Sequence, residues 1–163
     1  MDVLLAIPSL LLNISIVSAL GSGVFNMMLA VGISNIPRYC RIMRASVLQI
    51  KSIEYVDASR TAGGSSRWII TRHIIPNCLA PIIVQATLSV GSAIIACAGL
   101  SFIGVGISAP TPEWGAMLSN GRDFLRGYSY ITLFPGLAIM ITVLALNLMG
   151  DGLRDAFDPK LRR

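Results

Sequence analysis

Charge is scarce in this sequence. Asp, Glu, Lys and Arg together make up 13% of its 163 residues, while 54% are hydrophobic and the mean hydropathy is +0.72. Soluble domains run near a quarter charged, so the low charge, with apolar residues gathered in long blocks, points to a bilayer. Histidine occurs once, at His73. No metal-ligating side chain stands at helical spacing from it, so it reads as an interfacial residue rather than a ligand or proton carrier. The three cysteines, Cys40, Cys78 and Cys97, are far apart and form no C-x-x-C pair, which argues against a disulfide framework or a zinc site. Aromatic residues are 7% and scattered, too few for nucleic-acid stacking platforms. The net charge of +5 therefore reads as membrane topology, because the basic residues flank apolar blocks. A G-x-x-x-x-G-K-S/T phosphate loop is missing, so ATP is not expected to bind in that way. No Ser–His–Asp set, acidic pair within a span or metal cluster is evident either. No cofactor is expected in this chain, and it is not expected to be an enzyme.

What is present is a succession of charge-free windows. From Val3 to Pro37 there is no Asp, Glu, Lys or Arg, and Gly21-Ser22-Gly23 interrupts the stretch. Two spans are predicted there, at about 3–20 and 24–43, the second ending in Arg38, Arg41 and Arg44, which can snorkel to headgroups. The windows from His73 to Pro112 and from Gly127 to Gly150 predict spans at about 77–103 and 132–150. The fold class expected is all-α, a polytopic transmembrane bundle forming one domain over 1–163. A signal peptide is not indicated, since no basic segment precedes the first block.

The loops orient the chain. Arg38, Arg41, Arg44, Lys51, Arg60, Arg67 and Arg72 lie between the second and third spans. Arg154, Lys160, Arg162 and Arg163 lie in the tail, and only Arg122 and Arg126 lie between the last two spans. The positive-inside rule places the middle loop, about 44–76, and the tail, 151–163, in the cytoplasm. The loop of about 104–131 then faces outward, and both chain ends lie inside. The polar side chains within spans, Asn13, Gln85 and Asn147, read as interhelical hydrogen-bonding amides. Pro8, Pro37, Pro81 and Pro135 lie in or near spans, where proline bends a helix. Asp151, Arg154 and Asp155 read as a solvated helix end.

The middle loop carries the strongest local signals. Ser52 is a candidate N-cap with Glu54 and Asp57 behind it, where acidic groups favour a helix N-terminus. Ile53, Val56, Ala58 and Ala62 give this helix of about 52–62 a small apolar surface. Gly63-Gly64 stops it, with φ > 0 expected at Gly63. Ser65 or Ser66 can cap a second helix through Trp68, Ile69 and Ile70 up to Pro76. So short a helix is marginal alone and needs a packing partner, in its own bundle or in another protein.

The run from Glu54 to Pro76, with Asp57-Ala58-Ser59, then Gly63, then His73-Ile74-Ile75-Pro76-Asn77, resembles the cytoplasmic "EAA" loop of bacterial binding-protein-dependent ABC importer permeases. Asp57 stands where Glu is usual and Ser59 where Ala is common. Gly99-Leu100-Ser101-Phe102-Ile103-Gly104-Val105-Gly106, Pro110-Thr111-Pro112-Glu113-Trp114-Gly115 and Leu146-Asn147-Leu148-Met149-Gly150-Asp151-Gly152-Leu153-Arg154-Asp155 are similar to runs of the C-type permeases of the dipeptide/oligopeptide/nickel group. The resemblance covers essentially the whole chain. It implies a multi-pass subunit of the bacterial inner membrane, forming half of a path for short peptides, nickel or another small solute. It also implies the partners: a second permease, two cytoplasmic P-loop ATPases that bind the ATP, an external solute-binding protein and membrane lipid, with no nucleic acid. Glu54, Asp57, Ala58, Ser59, Ala62, Gly63 and Pro76 are the implied ATPase-coupling residues. Members of the group usually carry about six spans, and this chain matches the last four. With Met1-Asp2 leading almost directly into an apolar block, a fragment of a longer subunit is expected. The alternative is a membrane scaffold that docks a cytoplasmic partner and moves no solute.

Overall fold

Three proline positions and one π-helical turn decide how the apolar blocks become helices. The computed structural model describes residues 2–107 and 110–157, with side chains from residue 4 to residue 156. Met1 and the basic residues Lys160, Arg162 and Arg163 lie outside the described residues. The order is α1 (Asp2–Leu5), α2 (Ser9–Leu20), α3 (Val24–Ile50), α4 (Glu54–Thr61), α5 (Ser66–Ile69), a π turn (Ile70–Ile74), α6 (Ile75–Phe102), α7 (Trp114–Gly121), a 3-10 turn (Arg122–Phe124) and α8 (Tyr130–Phe157). Among the described residues there is no strand, so the all-α expectation holds.

Several predicted boundaries move. The first block is two helices rather than one span of 3–20. Pro8 takes extended angles, φ −55° and ψ 128°, as the residue before α2, because proline has no N–H and disfavours helix at the preceding residue. The second block does not end at 43. α3 runs to Ile50 and keeps Pro37 in its interior, so the loop predicted from 44 begins seven residues later than expected. The helix predicted to stop at Pro76 does not stop. Ser66–Phe102 is one continuous 37-residue helical rod. The N–H of Ile75 bonds to the carbonyl of Ile70, a five-residue closure that widens the turn just ahead of Pro76 and lets the rod pass it. The segment of 104–131, expected to be a loop, also holds a helix, α7, whose first turn is capped by Glu113. Its carboxylate accepts from the Ala116 N–H at 2.7 Å. At the other end α8 continues past 150 through the exposed Asp151, Arg154 and Asp155, the solvated helix end expected.

Two helices are long and apolar enough to cross a bilayer, Ser66–Phe102 and Tyr130–Ala156. α2, with 12 residues, reaches about 18 Å at 1.5 Å per residue, against about 30 Å of hydrocarbon. α3 is long enough, but its charge-free part ends at Pro37. The rods turn apolar side chains outward. On α8, Phe134 is 66% exposed and Leu148 64%, the reverse of a helix in a water-soluble core.

Helices meet through small residues. A Cβ on Gly115 of α7 would collide with the backbone of Ala98 in α6, 2.6 Å from its Cα, and a Cβ on Gly91 of α6 would lie 3.0 Å from Asn147 Oδ1 of α8. Such approaches serve a bilayer, where van der Waals contact between backbones carries much of the association. One cluster of Val17, Met27, Ala30, Val31 and Leu100 joins α2, α3 and α6. A second joins α4 to the long rods through Val56, Ile69, Ile74 and Cys78, flanked by Met43, Val47 and Ile50. Among the described residues, Asn13, Gln85 and Asn147 make none of the expected side-chain bonds between helices. Asn13 Oδ1 is buried without a hydrogen-bond partner, whereas the hydroxyls of Tyr39 in α3 and Ser89 in α6 bond to each other at 2.5 Å.

Candidate coupling surface

The short helix α4 begins where the sequence places acidic residues. Ile53, in extended conformation, precedes it, and Glu54 and Asp57 occupy its first turn, where the helix dipole favours negative charge. Ser52 is not the cap. Its hydroxyl donates back to the carbonyl of Gln49 at 3.3 Å, and Ile53 stands at the cap position without a side-chain cap bond.

The far end closes as expected, in more detail than the sequence allowed. Gly63 has φ +83°. Its N–H donates to Arg60 O at 3.1 Å, and the Gly64 N–H donates to Ser59 O at 3.0 Å. These are the paired bonds of a Schellman closure, which satisfy carbonyls left open at a helix end. A Cβ on Gly64 would lie 2.8 Å from the Ser59 carbonyl oxygen, so both glycines are needed, one for its conformation and one for its missing side chain. Ser65 then caps α5, its hydroxyl accepting from the Trp68 N–H at 3.4 Å.

One side chain anchors α4 to the bundle. Val56 is fully buried against Ile69, Ile74 and Cys78, which is worth roughly 1.5–3 kcal/mol for an aliphatic side chain. The opposite face is free: Glu54, Asp57, Ala58 and Ala62 are exposed. Asp57 and Arg60 form an ion pair of 3.2 Å, with both side chains more than half exposed. Ser59 faces the glycine turn, its Oγ buried without a partner. The structure thus gathers Glu54, Asp57, Ala58, Ser59, Ala62 and Gly63 on one element. Pro76 stands apart, in the first turn of α6.

An aromatic wall beside α4 was not foreseen. Tyr55, Trp68 and His73 line an open cavity of about 520 Å³ with Ser59, Ala62, Gly63 and Gly64. The His73 ring meets Trp68 edge-on at 4.8 Å and Tyr55 at 5.9 Å. Asn77 Nδ2 donates to the Tyr55 hydroxyl at 3.3 Å and to the His73 carbonyl at 2.6 Å. Half-buried among these rings, His73 is a packing residue of the loop. Trp68 and His73 are five apart, a spacing that shares no face of an α-helix. The π turn between them brings them together, and no periodicity rule predicts it.

Among the described residues no group of three His, Cys, Asp or Glu side chains is placed to hold a metal ion. The surface combines an anchored helix, a charged outer face and an aromatic wall.

The chain matches, over residues 1–163, the family described as "Binding-protein-dependent transport system inner membrane component". It is 50% identical to the di/tripeptide transport system permease protein DppC of Pseudomonas aeruginosa, over 99% of this chain and 54% of that protein. It is 48% identical to the dipeptide transport system permease protein DppC of Alkalihalophilus pseudofirmus (99% and 53%). It is 46% identical to the glutathione transport system permease protein GsiD of Escherichia coli, again over 99% of this chain and 53% of that protein. The chain therefore spans about half the length of the curated relatives it matches. All three relatives are permeases of transport systems rather than enzymes, as the resemblance of the dipeptide/oligopeptide group implied. The match over every residue of the sequence, on apolar helices that face outward, makes this chain a member of the family of binding-protein-dependent transport system inner membrane components.

Proposed function

We propose that this chain is the transmembrane subunit of an ATP-driven importer. It forms half of a path for short peptides and receives the motor's work through α4. The observation that carries the reading is α4 itself, a helix capped at its end, tied to the bundle through Val56 and open on its acidic face. Force cannot pass between separate chains without a packed, rigid contact, and α4 is the helix of the middle loop that stands free on one side. Peptide cargo is supported by the relatives, whose names specify di/tripeptide, dipeptide and glutathione transport.

In this reading a second permease completes the path. Two P-loop ATPases bind and hydrolyse ATP on the cytoplasmic side, and a solute-binding protein delivers cargo from outside. The chain crosses the membrane four times, with the α2 and α3 blocks as the first two passages and the middle loop and tail in the cytoplasm. The asymmetry of basic residues supports that orientation. The test is the full-length subunit assembled with its sister permease, ATPases and binding protein in vesicles. Uptake of radiolabelled dialanine is expected to require ATP and loaded binding protein. A complex that assembles and hydrolyses ATP, but takes up no peptide when its binding protein is loaded with dialanine, would turn the reading to a scaffold.

A further inference from the structure

The crossing of α3 and α6 leaves a groove with two chambers. One, of about 320 Å³, is lined by Gly32, Asn35 and Tyr39 of α3 with Ser89, Ala93 and Cys97 of α6. The other, of about 510 Å³, continues toward the charged end of α3 past Met43 and Arg44. Tyr39 borders both. Together they fall in the size range of small-molecule sites.

The first chamber is apolar with a few polar groups turned into it. Ser89 is 8% exposed. Its hydroxyl donates to the Gln85 carbonyl at 2.5 Å, leaving its oxygen to accept from the Tyr39 hydroxyl. Asn35 spends its amide N–H on the Val31 carbonyl at 2.7 Å, and among the described residues its Oδ1 accepts no hydrogen bond. That oxygen can take a donor from the groove, which an acyl chain cannot supply. A solute bearing N–H groups can. No carboxylate or imidazole lines the chamber, which favours a neutral hydrogen-bonding solute over a bare metal cation. At Gly32 the groove is open, for an added Cβ would meet nothing within 4 Å.

We infer that the α3–α6 groove is a stretch of the solute path that holds a short peptide by its amide groups, at Asn35 Oδ1 and at the Tyr39–Ser89 hydroxyl pair. The inference rests on the transport reading above. It goes beyond that reading by naming the residues the solute touches.

The test uses the full-length subunit in its assembled transporter, with Cys40, Cys78 and Cys97 replaced by Ala and Gly32→Cys as the lone thiol. A charged methanethiosulfonate reagent reacts with a wetted thiol and not with one facing lipid or covered by protein. Gly32→Cys is expected to react, and to react more slowly when the binding protein is saturated with dialanine. Gly32→Trp, which fills open space, is expected to reduce dialanine uptake to background while the subunits still co-purify at wild-type yield. Asn35→Leu is expected to raise the KM for uptake. An unreactive Gly32→Cys assigns the groove to lipid or a neighbouring helix and overturns the inference. So does wild-type uptake by Gly32→Trp, or loss of co-purification in that variant. The unsubstituted complex separates the two ideas: if it transports dialanine and these variants behave otherwise than stated, only the groove assignment fails. If it transports none, the transport reading fails with it.

Discussion

Trp68 and His73 stand edge to face with ring centroids 4.8 Å apart, although they are five positions apart in sequence. The π turn over Ile70–Ile74 produces the contact, and the same turn carries the helix past Pro76 into α6. A single local widening thus makes the aromatic wall beside α4 and the continuous rod that leads from it into the membrane.

Gly63→Leu is expected to weaken the α4 closure by roughly 1–2 kcal/mol, because φ +83° is a left-handed conformation unfavourable to L side chains. Gly63→Asn, better tolerated there, is expected to retain more function. The space around Gly63 is empty, so membrane insertion is unchanged. ATP hydrolysis stimulated by loaded binding protein, measured in the assembled transporter, should rank wild type, Asn, then Leu. Equal rates for all three would remove α4 as the coupling element.

Asp57→Arg separates stability from coupling. The pair it breaks is exposed and worth about 0–1 kcal/mol, so the melting temperature of the purified complex should stay near wild type. Stimulated ATP hydrolysis should nonetheless fall sharply, because the charge sits on the free face of α4. A variant that keeps wild-type stimulation shows that face to be unused.

Val56→Asp should act in the opposite sense. It places a charge in a fully buried position and is expected to release α4 from the rods, at a cost of several kcal/mol. Limited proteolysis should then cut within residues 52–65 faster than in wild type. An equal rate in the variant would mean that Val56 is not the anchor.

Gly115→Val should damage the packing of α7 on α6, because even a Cβ collides with the Ala98 backbone. A loss of roughly 1–3 kcal/mol is expected from such overpacking, read as a lower midpoint of thermal unfolding in detergent. Gly127→Ala, where the added atom meets nothing within 4 Å, is the control. A Gly115→Val midpoint equal to that control contradicts the close approach.

Orientation is checked by thiol labelling in intact cells. Asn120→Cys, on an exposed face of α7, should react with an impermeant reagent, and Ser65→Cys should not until the membrane is opened. The reverse pattern would place α4 outside, away from any ATPase.

Composition and pattern alone determined that this protein is helical and belongs in a bilayer, because charge-free blocks and loop arginines report the cost of burying charge in hydrocarbon. They also determined the site of α4, since acidic residues followed by Gly63-Gly64 mark a helix start and stop through purely local hydrogen bonding. Spacing could not reveal the break at Pro8 or the run of α3 through Pro37 to Ile50, because whether proline ends or merely bends a helix depends on the surrounding helices. Nor could it reveal α7 between α6 and α8, whose backbone contact at Gly115 exists only once α6 is in place. The anchoring of Val56, the meeting of Trp68 with His73 and the Tyr39–Ser89 bond were likewise decided by tertiary structure. Each joins residues whose contact depends on the register of packed helices, or on one widened turn, and neither is written in the period of the apolar residues.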